Sequence, residues 1–303
     1  HMYKPAIIFT AFFTLLFFTG NAQRDAKHKK YSIPFHVTAY NNIAVAAVLN
    51  NEDTVTLMLH TAASDVTLTE EATAKLKTMQ FRDTAGNVQS WGGNVNTSLF
   101  SNNNSLLIGK LKRDSITIWQ DKNSGQETDG KFGLNVFENK VLEVNFDKNL
   151  LTVETKLPHN ISHYEKFKIL SDNDEMFIKA LCLTGKDTLE NYFLIHSGYA
   201  GSILLDDGFV KKNMIGQQIK ITGEKKLQDA FGNTLTVKKG LLPSLIIGSW
   251  KLDNAPVGFF EGTTEMQNIS IIGGDILKRF NWIIDARREY IYLKPNTFFK
   301  VGF

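Results

Sequence analysis

Two histidines carry the strongest chemical signal in this 303-residue chain. His60 ends the run Leu57-Met58-Leu59 and is followed by Thr61, Ala62, Ala63, Ser64 and Asp65. His196 ends Phe193-Leu194-Ile195 and is followed by Ser197, Gly198, Tyr199, Ala200 and Gly201. Each stretch is an apolar run of strand formers that stops at an imidazole, then a hydroxyl, then small residues. Such a stretch presents its polar residue at the end of a sheet, where the chain can bend and a ligand can approach. Imidazole has an ordinary pKa near 6.5, so it can act as a general base, an acid or a metal ligand near neutrality. Two imidazoles in matching contexts imply one site built from two equivalent halves.

The flanks must then repeat in the same order, and they do. After His60 come Asp83-Thr84-Ala85-Gly86-Asn87, Leu106 to Leu111, Phe132 to Phe137 and Val144 to Val153. After His196 come Asp229-Ala230-Phe231-Gly232-Asn233, Leu245 to Leu252, Ile272 to Leu277 and Ile284 to Leu293. His60 lies 72 residues before Phe132, and His196 lies 76 before Ile272. Chance does not keep four motifs in order and near-constant spacing, so the chain reads as a duplication.

These motifs resemble the aspartic peptidases of the pepsin and retropepsin type, most of all two-lobed secreted bacterial members, over roughly residues 31 to 297. The resemblance implies a mainly β fold of two homologous β-barrel lobes with a central cleft. It places the lobes at 31–157 and 167–297, joined by a linker at 158–166. In that family each apolar strand ends in Asp-Thr-Gly or Asp-Ser-Gly, and a later apolar-apolar-Gly strand packs beneath the Asp loop. Here Lys131-Phe132-Gly133-Leu134 and Ile271-Ile272-Gly273-Gly274 correspond to the later strands, while His60 and His196 stand at both Asp positions. Ala62 replaces one loop glycine and Gly198 keeps the other. The resemblance makes Thr61 and Ser197 the hydroxyls that brace the two loops. It assigns Ser64, Asp65 and Tyr199 to the substrate groove, and Trp91 to a flap hairpin between Arg82 and Phe100, with ordinary packing on a loop as the alternative for Trp91.

The family's chemistry needs two carboxyl groups sharing one proton, because like charges about 3 Å apart cannot both ionise. Two neutral imidazoles do not provide that acid, so ordinary aspartic peptidase chemistry is not expected. Three readings stay open. Two imidazole nitrogens about 2.0–2.1 Å from one ion stand about 3–3.4 Å apart, close to the spacing of the family's carboxyl oxygens. A Cu ion, with Zn as alternative, is then expected on His60 and His196. His36 is the candidate third ligand, because Ile33, Phe35 and Val37 alternate and leave it on the opposite face; a plain surface position is its alternative. That reading gives a metal-dependent enzyme acting on an extended peptide. The second reading is an inactive fold that binds peptide, and the third is a His/His peptidase working by acid–base chemistry alone.

The remaining chain sets bounds. Lys4, the apolar run Ala6 to Phe18 and small residues up to Ala22 read as a secretory signal peptide over 1–22, with His1 a cloning remnant. The expectation is an exported, periplasmic or secreted protein without a membrane anchor. A net charge of +3 without a dense basic stripe gives no case for nucleic acid. Cys182 is the single cysteine and sits in an apolar run, the setting of a buried inert thiol. His159 and His163 in the linker would share a helix face only on an α-helix, and a solvated linker is the plainer reading. The pattern further predicts strands over Ile33–Val37, Ile43–Leu49 and Val55–Leu59. Helices are predicted over Glu70–Met79 with Thr69 as N-cap, over Lys211–Ile221 and over Asp275–Phe280.

Overall fold

The computed structural model describes residues 30–303 apart from 82, 90–94, 123–124, 229–233 and 262–266. The leader expected at 1–22 and the flap residue Trp91 lie outside the described residues.

Alternating burial builds the first barrel. In Asp53–Leu59 the residues Val55, Leu57 and Leu59 enter the core, while Thr54 and Thr56 do not. The sheet holding this strand has eight strands, in the order His36–Val37, Ile43–Leu49, Asp53–Leu59, Gly130–Phe132, Val66–Thr69, Leu111–Asp121, Val95–Ile108 and Asp83–Gln89. Pairing of Ile43–Leu49 with Val95–Ile108 closes it. Closure removes the open edges that would otherwise recruit other strands.

A second eight-stranded sheet repeats this order: Leu170–Asp172, Glu175–Leu183, Thr188–His196, Ile271–Gly273, Ile203–Leu204, Trp250–Glu261, Thr234–Ile247 and Lys220–Gln228. It closes at the equivalent place, where Glu175–Leu183 meets Thr234–Ile247. The repeated Leu/Ile-Ile-Gly motif is explained by the turns it makes. Ile108 pairs with Leu111 and Ile247 with Trp250, and in each tight hairpin the glycine has φ +59°. That left-handed backbone suits glycine because it has no Cβ to clash.

A six-stranded sheet joins the barrels: Tyr31–Pro34, Leu150–Glu154, Val141–Asn145, Phe280–Ile284, Tyr290–Pro295 and Glu165–Lys168. Its centre pairs Leu142 with Ile284 and Val144 with Trp282, one strand from each half. The Phe280–Ile284 strand is buried at every residue. The protein is therefore mainly β, with two closed barrel lobes related by an internal pseudo-twofold, as the motif order implied.

Four local expectations need correction. The strand expected over Ile33–Val37 is split, because Tyr31–Pro34 pairs in the joining sheet and His36–Val37 in the first barrel. The helix expected over Glu70–Met79 spans only Glu70–Thr73. Thr69 does cap it, its hydroxyl accepting from the Ala72 N–H at 3.0 Å. Beyond that turn the Lys77 and Thr78 N–H groups donate to the buried Asp53 carboxylate instead of to helix carbonyls. The helix expected over Lys211–Ile221 is two pieces, Asp207–Lys212 and Ile215–Gln218, broken at Met214 with φ +47°. Only one turn, Gly274–Leu277, forms where Asp275–Phe280 was expected. Cys182 is buried in the core, and burial pushes its thiol up to about 12, which leaves it protonated and unreactive. Among the described residues no helix is long and apolar enough to cross a membrane.

Candidate functional site

The two histidines end equivalent strands of the two barrels and face each other. Asp53–Leu59 runs parallel to Gly130–Phe132, and the His60 N–H donates to the Phe132 carbonyl at 3.0 Å. Thr188–His196 runs parallel to Ile271–Gly273, with His196 opposite Gly273. The ring centroids of His60 and His196 are 4.5 Å apart, with planes inclined at 58°.

A reciprocal brace holds the loops beneath them. The Thr61 N–H donates to the Ser197 hydroxyl at 3.0 Å, and the Ser197 N–H donates to the Thr61 hydroxyl at 2.9 Å. Each hydroxyl then donates across the lobe boundary, Thr61 to the Ile195 carbonyl at 2.6 Å and Ser197 to the Leu59 carbonyl at 2.7 Å. Both side chains are buried, so all four bonds are made away from competing water. Gly198 is required here for space. A Cβ at that position would fall 2.2 Å from Cδ2 and 2.6 Å from Nε2 of His60.

Burial sets the charge state of the pair. Desolvation, then the charge of His196, then that of Lys131 hold His60 well below its ordinary value, against an opposing contribution from its own backbone. His196 is lowered to about 4, chiefly by burial, with its own backbone opposing and Lys131 adding to the shift. Both rings are neutral at pH 7, and Nδ1 of each is buried without a hydrogen-bond partner. An imidazole whose pKa lies near 4 is a weak general base at neutral pH, which argues against acid–base peptidase chemistry.

The metal expectation is overturned. Among the described residues no three His, Cys, Asp or Glu side chains come together to hold an ion. His36 is exposed on its short strand, paired with Ala44, and does not join His60 and His196. Strand alternation does not carry through to His36, because the chain changes sheet between Pro34 and His36. The charged neighbour that acts on both imidazoles is a lysine, which repels a cation. The His60/His196 pair is thus not the Cu or Zn centre expected, and the metal-dependent enzyme built on it falls as well. His159 and His163 lie in a 3-10 turn, where a four-residue step does not return to the same face.

The other candidate residues divide. Tyr199 belongs to the site: its ring meets that of His196 edge-on, centroids 6.5 Å apart, and packs so closely on Gly201 and Gly273 that neither could carry a Cβ. Ser64 is exposed and lines a small cavity with Thr61, Ala62 and Asn135 on one side and Asp174 and Arg288 of the other lobe opposite. Asp65 is exposed. Three residues went unnoticed in the sequence. Asn42 is fully buried and donates to the Ser197 carbonyl at 2.8 Å, and Asn41 donates to the Ala200 carbonyl at 2.8 Å. Asn41 has φ +59°, so an Asn-Asn turn was the available signal. The third is Lys131, which the motif comparison treated only as a neighbour of Gly133.

No protein-family model matches the chain, and no curated protein matches it. Among solved structures, it is similar to the crystal structure of an aspartic proteinase from Irpex lacteus, with a TM-score of 0.60 and 14% sequence identity. The match covers 90% of this chain and 99% of that one. The likeness establishes a pepsin-like fold.

Proposed function

We propose that this chain is a pepsin-like protein in which His60 and His196 occupy the two catalytic carboxylate positions, and whose cleft binds an extended polypeptide segment without hydrolysing it. In this reading residues 31–157 and 167–297 are the lobes, 158–166 joins them, and a leader at 1–22 directs a bacterial protein out of the cytoplasm. The observation that carries the proposal is the combination of an intact loop brace with a neutral ring pair. Thr61 and Ser197 make four interlobe hydrogen bonds directly beneath His60 and His196. The loops that present the site are therefore held as firmly as a reaction centre would need, while the groups they present lack the acid that hydrolysis requires. A preformed, rigid floor between two lobes is suited to holding a ligand, because little ordering cost is left to be met on binding.

The test uses a random pool of fluorescent octapeptides with the full chain, read by polarisation across pH 4 to 8. Saturable binding is expected, with the same peptides recovered at full length. Absence of saturable binding at any pH, or recovery of shortened peptides, would contradict the proposal.

A further inference from the structure

Strand alternation fixes which side chains flank the histidines. In the first lobe Leu57, Leu59 and Phe132 enter the core, so Met58, His60 and Lys131 share the opposite face, with Lys131 in register with Met58. In the second lobe Phe193, Ile195 and Ile272 enter the core, so Leu194, His196 and Ile271 share the corresponding face, with Ile271 in register with Leu194. Ile271 and Lys131 are thus pseudo-twofold mates. Ile271 belongs to an apolar cluster with Leu194, Leu204 and Phe260, against which Tyr199 and Ala62 pack. Its mate carries an ammonium group.

That lysine is half-buried, and among the described residues it forms no ion pair. Asp121, at the end of the Leu111–Asp121 strand with Val66–Thr69 between, acts on it electrostatically but is not within salt-bridge distance. Removing an amine from water without a partner is costly, so a ligand that supplies the counter-charge is favoured there. Beside it stand two neutral imidazoles, each with a buried Nδ1 that has no hydrogen-bond partner, and among the described residues no carboxylate joins them in a cluster.

We infer that the floor of the cleft is asymmetric in charge, and that the bound segment places a carboxylate against Lys131 while the Ile271 side receives apolar groups. This rests on the peptide-binding reading above and names the ligand class for it. The carboxylate has two sources, an acidic side chain within the segment or a free C-terminus. Hydrogen bonds to charged groups are the stronger kind, so exchanging the acid for its amide is expected to weaken binding about tenfold.

The experiment measures the full chain against octapeptide pools that share random flanks and carry Glu, Gln, Leu or Lys at one fixed central position, each made as free acid and as C-terminal amide. Wild type is expected to bind the Glu pool about tenfold tighter than the Gln pool. Weaker binding of every pool on C-terminal amidation, with no preference for Glu over Gln, would assign the carboxylate to the chain end instead. Lys131→Ile, which installs the second lobe's residue, should erase the acid preference and keep the Leu pool bound; Lys131→Arg should retain the preference. Equal binding of the Glu and Gln pools, together with equal binding of free-acid and amidated forms, would overturn the inference on wild type alone, whatever the variants do. So would an acid preference that persists in Lys131→Ile with its melting temperature unchanged. Failure of all pools to bind would remove the peptide reading itself and this inference with it.

Discussion

At the scale of single residues, the site is governed by what burial does to an imidazole. His60 and His196 are kept neutral because the folded protein withholds water and places Lys131 nearby. This has a signed consequence for stability. An unfolded histidine takes up a proton as pH falls through about 6.5, whereas folded His196 does so only near 4. Between those values the unfolded state binds more protons, so stability drops as the pH is lowered, by at most about 1.4 kcal/mol per pH unit for each ring. It should be independent of these rings above pH 7. Urea midpoints at pH 5, 6, 7 and 8 measure it, and His196→Gln should flatten the slope between 5 and 6.5. Identical slopes in the two proteins would show that the ring is not held neutral. Much of the site could be read at this scale, because His60, Thr61, His196 and Ser197 each interrupt an apolar run with a distinctive side chain. Lys131 could not, since its meaning comes from register with Met58 and from having an isoleucine as its mate. His36 is the opposite case: alternation describes one strand, and the chain changes sheet there.

At the scale of elements, the brace is what makes two loops into one site. Thr61 and Ser197 form a closed set of hydrogen bonds, so removing either hydroxyl leaves buried N–H and carbonyl groups unsatisfied. Thr61→Val and Ser197→Ala should each destabilise by about 1–3 kcal/mol. Each change removes two different bonds, but all four hold the same pair of loops, so the double variant should cost less than the sum because the first change already loosens what the second one frees. Denaturant unfolding of the three variants checks this, and strict additivity would mean that the hydroxyls act independently. The strands and the capping Thr69 were legible because periodicity and caps are local signals. The length of the helix after Thr69 was not, because Asp53, far away in sequence, captures the Lys77 and Thr78 amides that would have continued it. The two glycines with φ +59° show the converse case, in which a repeated motif announced a repeated turn.

At the scale of the molecule, the six-stranded sheet decides whether the lobes are separable. Its central pairing, Val144 with Trp282, joins the halves through fully buried residues, and the Thr61–Ser197 brace joins them again at the cleft. Unfolding should therefore be a single cooperative transition, with tryptophan fluorescence and far-ultraviolet circular dichroism coincident. Two resolved transitions would show that the lobes fold apart. Trp282→Ala should lower the whole transition by about 3–5 kcal/mol, the usual cost of emptying such a core position. Duplication was legible at this scale from motif order alone, which survives when individual side chains diverge. The pseudo-twofold also explains why the site could be located, and why its asymmetry in charge could not be seen until the mates were aligned by strand pairing.

The central claim is that the cleft between His60 and His196 receives a peptide and leaves it intact. Hydrogen–deuterium exchange by mass spectrometry on the full chain with a bound octapeptide tests location and fate in one measurement. Exchange should slow in both the 57–65 and 193–201 segments, together with an unchanged peptide mass. Exchange slowed at neither segment, or a peptide recovered in pieces, would contradict it.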